Sequence, residues 1–200
     1  MNRLGTTLKV VFLSVVFLVG LTYLTVEPPK KIERKVITLD QLPDKVELIG
    51  FENQEFSAKS IIKQNTVIYV GNHESIALAN NFKNMLNLPI GGYAVVSNIS
   101  DAPWFIKKWQ AHNQNIELKG DQKDPWIYDR NGEMRHFLQV KSQDVLKYFV
   151  YFVNEDKTVD RIYTGQVKSG TIEGSMSEKE KKENLSKAVT LVKERLNRKK

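Results

Sequence analysis

Thr66-Val-Ile-Tyr-Val-Gly-Asn-His-Glu-Ser75 is the stretch on which the fold of this chain turns. Its first half is β-branched and apolar on both faces, the composition of a strand that a parallel sheet buries on two sides. Immediately downstream, Ile76, Leu78, Ala79, Phe82, Met85 and Leu86 recur at three-to-four spacing. That spacing predicts a helix from Ile76 to Leu88 with one buried face. Pro89-Ile-Gly-Gly ends it, and Tyr93-Ala-Val-Val-Ser97 reads as a second buried strand. Strand, helix and strand make a βαβ unit.

Further along, Ser100-Asp101 caps another helix, with Pro103 in its first turn, where a missing N–H costs nothing. Phe105, Ile106 and Trp109 mark its buried side, and residues 113–124 read as a polar loop. Trp126-Ile-Tyr128 is a short strand, Asp129-Arg-Asn-Gly132 a turn, and Glu133 to Val140 a short helix. Tyr148 to Val153, the turn Asn154–Lys157 and Val159 to Tyr163 form a β-hairpin. A Gly/Ser-rich link follows over 165–177. Ser177-x-x-Glu180 is a capping box that opens a last helix, whose Leu185, Ala188, Val189, Val192 and Leu196 share one face. Upstream, Ile37 to Ile49 alternates weakly, enough for one or two short strands, and Phe51 to Ile62 connects it to the βαβ unit.

The chain begins with a short basic tail, residues 1–9, and then Val10 to Val26 carries no charge. Seventeen residues in a helix span about 25 Å, the lower end of what crosses a hydrocarbon core. Val10, Phe12, Phe17, Leu21 and Val26 would face lipid, with Tyr23 as the interfacial aromatic. The exit lacks the A-x-A pattern of a cleavage site, so an uncleaved signal-anchor is preferred over a cleaved secretory signal. Residues 27–44 are the linker, opened by the stiff Glu27-Pro-Pro-Lys-Lys, and residues 45–200 are the domain. The basic flanks on both sides leave the positive-inside rule undecided; the short basic tail resembles export signals and favours a domain outside the cytoplasm. Lipid is thus an expected partner of the N-terminal helix.

The net charge of +7 is concentrated at the ends. Residues 1–35 hold six Lys/Arg against two Asp/Glu, and 178–200 hold nine against four, whereas the body between them is mildly acidic. A nucleic-acid binder carries its basic patch on the body, so nucleic acid is not an expected partner. The basic C-terminal helix end is a solvated terminus that complements the helix dipole.

There is no cysteine. That removes disulfides, thiolate catalysis and Cys-zinc sites. His73-Glu74 does not extend to H-E-x-x-H, because Ala77 holds the second histidine's place. His112 and His136 have no carboxylate at ligand spacing. Asp121, Asp124, Asp129, Asn131 and Gly132 resemble half a calcium loop but lack its twelve-residue spacing, so a turn is the better reading. No metal and no cofactor is expected. Trp104, Trp109 and Trp126 read as packing residues, with a partner-facing surface as the alternative for Trp104 beside Pro103.

The order strand–helix–strand–helix–strand, hairpin, terminal helix resembles the thioredoxin-like fold in its peroxiredoxin-type elaboration, an α/β three-layer sandwich. Val67 to Ser75 resembles the strand and loop that deliver the redox cysteines, Trp126 to Glu133 the strand and turn after the inserted helix, and Tyr148 to Gly165 the closing hairpin. Within that superfamily the chain looks like the YtfJ-type bacterial periplasmic proteins, through Asn98-Ile-Ser-Asp-Ala102, Asp129-x-Asn-Gly132 and the hairpin. It departs from them in its anchor and its longer link before the last helix. The resemblance implies that the redox site falls near Glu74-Ser-Ile-Ala77 and that Tyr148 or a neighbour stands where a cis-proline belongs; no proline lies between 126 and 200. Asn72, His73, Glu74, Ser75, Ala77 and Tyr148 therefore mark a degenerate redox position, with no thiol–disulfide or peroxidase activity expected. Two functions lead the expectations, ahead of a peripheral subunit of a larger membrane assembly to which the basic C-terminal helix docks. One is a non-enzymatic module in the inner membrane, its domain in the periplasm, binding another envelope protein. The other is a cysteine-independent enzyme or metal-binding protein that uses the His73/Glu74 loop. On the first, Glu74 or Ser75 simply caps the helix.

Overall fold

Five strands form the central sheet in the order β5-β4-β3-β6-β7 of the computed structural model, which describes residues 36–51, 54–98, 111–141 and 146–198. They are β3 (Val67–Gly71), β4 (Tyr93–Asn98), β5 (Trp126–Asp129), β6 (Lys147–Val153) and β7 (Val159–Gln166). Both expected buried strands are present, and every residue of each is buried. β3, β4 and β5 run parallel, in register Val67↔Tyr93 and Val95↔Trp126, while β6 and β7 are antiparallel additions on the other side of β3. β1 (Val46–Glu47) and β2 (Glu55–Phe56) make a separate antiparallel pair, and Leu48 bridges to Ile127 on β5.

Alternation along the strands divides the core in two, as a sheet covered on both faces requires. Val67 and Tyr69 point into one layer with Phe82, Leu185, Ala188 and Val192; Ile68 and Val70 point into the other with Ala58, Ile62, Met134 and Phe137. The first layer is supplied by α2 (Ala79–Leu86) and α5 (Glu178–Asn197), the second by α1 (Ala58–Ile61) and α4 (Glu133–Phe137). Helices thus lie on both faces of a mixed sheet.

The helix expected over 76–88 is shorter and begins differently. Ser75–Leu78 is a 3-10 turn that runs into α2, and Asn87 ends the helix in a left-handed conformation with φ 52°. The polar loop expected over 113–124 is in its first half a helix, α3 (Ala111–Lys119). It escapes a pattern reading because HNQNIELK places no apolar stripe at helical spacing. Tertiary polar contacts hold it instead: Asn115 Nδ2 donates to Ser97 Oγ (2.9 Å), Lys119 Nζ to the Ile49 carbonyl (2.8 Å), and Asn80 on α2 to the Leu118 carbonyl. Beyond α3, the buried Asp124 pairs with Lys83 of α2, and burial lowers the pKa of that lysine.

Val36–Lys200 is one compact unit. Residues 36–44, which the sequence places in the linker, belong to it: Thr38 bridges to Thr158, Leu39 N–H donates to the Lys157 carbonyl, Val159 N–H donates to the Ile37 carbonyl, and Leu42 is buried. The apolar segment with Val10, Phe12, Phe17, Leu21, Tyr23 and Val26, and the helix expected around Pro103, Trp104, Phe105, Ile106 and Trp109, lie outside the described residues. Among the described residues no helix is long and apolar enough to cross a membrane. Trp126 is fully buried, as expected of a packing residue.

Candidate functional site

The residues that the sequence singles out, Asn72 to Ala77, sit where β3 gives way to the 3-10 turn, at the C-terminal edge of the parallel strands. Ligand sites of open α/β sheets are built at that edge. Gly71 makes the local geometry possible: a Cβ there would lie 2.7 Å from the Ile76 Cα, so only glycine lets the turn fold back onto its own strand. The Ile76 N–H then reaches the Asn72 carbonyl (3.0 Å).

Ser75 is the centre of the cluster and is fully buried. Its Oγ accepts from the Asn72 N–H (2.9 Å) and donates to the Lys147 carbonyl of β6 (2.8 Å), while its own carbonyl accepts from the Tyr69 hydroxyl (2.7 Å). The Asn72 side chain accepts from Asn98 Nδ2 (2.8 Å). The hydroxyl proton of Ser75 is spent on a backbone carbonyl rather than on a base that could draw it off. A serine nucleophile needs such a base within hydrogen-bond reach.

Glu74 is not a simple cap. Its Oε2 accepts the N–H of Ile172 (3.1 Å), ninety-eight positions away. The segment from Val167 to Met176, read from the sequence as a Gly/Ser-rich link, is a folded strap: Val167, Thr171 and Met176 are buried, and Ile172 packs against the core layer that contains Ile76 and Leu78. Ala77 is half-buried against that same layer. His73 alone of the six residues is exposed.

Tyr148 stands on β6 directly opposite Gly71. Its ring stacks on Tyr69 (centroids 5.4 Å apart, planes at 17°), and its hydroxyl donates to the carbonyl and the Oδ1 of Asn184 on α5. Burial pushes that hydroxyl's pKa well above the ordinary phenol value. Gly165, its neighbour on β7, must be glycine, since a Cβ would run into the ring. The sequence-picked residues are thus brought to one end of the sheet, with Asn72, Ser75 and the Lys147–Tyr148 backbone in direct contact and His73 apart.

Asn98, Ser97, Asn115, Ile172 and Asn184 complete the cluster without having been singled out as site residues. Asn98 could be found from register, as the polar end of the strand next to β3. Ile172 offers only a backbone N–H, which no sequence pattern marks. Elsewhere, Asp129 behaves as the turn reading requires. Its carboxylate accepts the N–H groups of Met134 (3.0 Å) and Arg135 (2.8 Å) and so caps α4. Burial raises its pKa, partly offset by those two bonds. His136 is exposed in the last turn of α4. Among the described residues no three of His, Asp and Glu come together as a metal would need.

No family model matches the chain, and no curated protein matches it. Among solved structures it is similar to MTB DsbF in its mixed oxidized and reduced forms, with 14% identity over 76% of this chain and 96% of that one, at a TM-score of 0.44. It is also similar to the bacterioferritin comigratory protein of Xanthomonas campestris, with 10% identity over 68% and 89% of the two chains, at a TM-score of 0.38. The strand order, the parallel β3-β4-β5 group and the antiparallel hairpin fit a thioredoxin-like fold. The chain carries no cysteine.

Proposed function

We propose that this protein is a membrane-anchored, extracytoplasmic thioredoxin-like module of the bacterial envelope, akin to the cysteine-free YtfJ-type periplasmic proteins, and that it binds another protein rather than catalysing a reaction. One observation supports this reading above the others. The position that the resemblance gives to a redox pair, Glu74 to Ala77, has its polar groups consumed in holding the fold together: Ser75 by Asn72 and Lys147, Glu74 by Ile172. A site whose donors and acceptors are used internally has little to offer a substrate, and the outer surface is what remains for function. The uncharged segment from Val10 to Val26 supports the anchor, and the short basic tail before it supports a domain facing the periplasm.

Crosslinking in intact membranes tests the binding role. The expected result is a discrete heterologous adduct whose second component is an envelope protein. An exclusively solitary or self-associated protein overturns it. In the same cells made into spheroplasts, external protease should digest the domain; full protection would place the domain on the cytoplasmic side.

A further inference from the structure

A module whose inner polar groups are spent must bind through its outer surface, and one patch of that surface is built from three elements. Four large apolar side chains are exposed among the described residues: Val36, Phe51, Ile90 and Ile116. A single exposed apolar residue is ordinary. Phe51 and Ile116 have a neighbour in common, Lys119. The Lys119 ammonium lies over the Phe51 ring, 5.5 Å from its centroid, within cation–π reach. Ile116 stands one turn back from Lys119 on the same side of α3.

Phe51 is pinned in place. The buried Ile49 anchors the turn before it: its N–H donates to the Trp126 carbonyl (2.8 Å), and its carbonyl accepts from Lys119 Nζ (2.8 Å). Gly50 then turns the chain with φ +89°, and the Phe51 N–H returns to the Leu48 carbonyl (3.2 Å). The ring meets Phe56 edge-on, with centroids 5.4 Å apart and planes at 72°, and is still 47% exposed. An aromatic already fixed at the surface loses little side-chain entropy when something covers it.

The charge of the patch is uncompensated. Lys119 is half-buried, burial lowers its pKa, and no carboxylate among the described residues pairs with it. One of its three N–H donors is spent on the Ile49 carbonyl. The neighbouring acids are engaged or face away: Glu55 pairs with Lys45, and Glu117 lies about 160° around α3 from Lys119. A pinned ring, an aliphatic side chain and an unmatched ammonium suit a ligand that is apolar and anionic at adjacent points. The patch also sets its size. With Phe51 and Ile116 each less than half exposed, their open surface is on the order of 200 Å², against about 800 Å² per partner in a stable interface. That area fits a short segment and is too small to hold a second copy of the chain.

We infer that Phe51, Ile116 and Lys119 form a docking surface for a short segment of a partner protein in which an apolar side chain lies next to an aspartate or glutamate. The inference deepens the binding role proposed above and rests on it. The apolar side chain covers Phe51 and Ile116, and the carboxylate accepts charge-assisted hydrogen bonds from the remaining donors of Lys119.

Selection of a displayed library of random heptapeptides on the full chain, kept soluble in mild detergent, tests this. The expected winners carry Asp or Glu within two positions of an apolar residue. A synthetic winner should bind Phe51→Ser and Ile116→Ser at least about tenfold more weakly, as hot-spot positions do. Selection on Lys119→Glu should turn the acidic preference basic. Thermal unfolding checks each variant, and Ile116→Ser, at an exposed helix position, carries the test if Phe51→Ser weakens the fold. Winners that bind the variants as they bind the natural chain, or that stay acidic on Lys119→Glu, overturn the inference, and so does a library that yields none. Self-association that Phe51→Ser abolishes assigns the patch to a second copy and overturns it too. Crosslinking in intact membranes separates this claim from the binding role. A heterologous adduct that Phe51→Ser and Ile116→Ser leave unchanged keeps the role and removes this surface, whereas no adduct at all removes both.

Discussion

Ser75 links three parts of the chain through one hydroxyl and one carbonyl: the end of β3, the 3-10 turn that leads into α2 and the first residue of β6. Removing the hydroxyl takes one hydrogen bond from the Asn72 N–H and one from the Lys147 carbonyl, at about 0.5–1.5 kcal/mol each. We expect Ser75→Ala to lower the melting temperature by roughly 4–8 °C, since about 2 kcal/mol moves a domain of this size by that much. His73→Ala, two positions away and exposed, should change stability by less than about 0.5 kcal/mol. Parallel thermal unfolding of the two variants checks this; equal effects would mean that Ser75 does not bridge the segments. The contrast also shows where the sequence is legible. The strand–turn–helix around Ser75 is plain from β-branching and three-to-four spacing, whereas the candidate position is implied only by the resemblance. The role of Ser75 is not, because its partner Lys147 is seventy-two residues away and contributes only a backbone carbonyl. The same holds for Glu74 and Ile172.

Among the elements, the start and the buried face of α5 are legible in the sequence and α3 is not. α5 opens with the capping box that Ser177-x-x-Glu180 announces: Glu180 N–H donates to Ser177 Oγ (3.3 Å), and Ser177 N–H donates to Glu180 Oε2 (2.8 Å). Leu185, Ala188, Val189 and Val192 lie buried on the expected face. α3 is defined by polar contacts to Ser97, Ile49 and Asn80, which leave no periodic mark. The capping box has a pH signature. The Lys168 ammonium, then the bonds to Ser177, hold the Glu180 carboxyl down at about 2, against an ordinary value of 4.5. A group whose folded pKa is depressed stabilises the fold fully above its unfolded value and loses that contribution as pH falls toward the folded value. The first turn of α5 should therefore loosen between pH 4.5 and about 2. A carbon-detected titration of the Glu180 carboxyl should show a midpoint near the lower figure, and Glu180→Gln should abolish that pH dependence of amide exchange in residues 178–181. A midpoint at the ordinary glutamate value would show that the box does not persist in solution.

At the scale of the whole molecule, the question is where the folded unit starts. Composition suggests Lys45, because residues 27–44 begin with Glu-Pro-Pro and show no strong periodicity. The structure starts it at Val36, and the difference lies in long-range pairing that composition cannot reveal. Residues 37–39 act as a partial extra strand beside the start of β7, with Val159 N–H to the Ile37 carbonyl at 2.8 Å and Leu39 N–H to the Lys157 carbonyl at 2.9 Å. Capping an exposed sheet edge in this way also removes a template for unwanted strand pairing. Leu42 is buried in the layer with Val46, Ile62 and Phe149, with Ile37 and Leu39 packed around it. Burying one leucine stabilises by about 1.5–3 kcal/mol, and the cost of ordering nine residues offsets part of the total. Fragments beginning at Val36 and at Lys45 should therefore both fold, the shorter one melting roughly 4–8 °C lower. Amide exchange should localise the loss to Thr158, Val159 and the 154–157 turn. If the two fragments melt together, residues 36–44 add nothing and the boundary is the compositional one. If the loss spreads over β3 and β4 instead, the N-terminal segment holds the whole sheet rather than its hairpin edge.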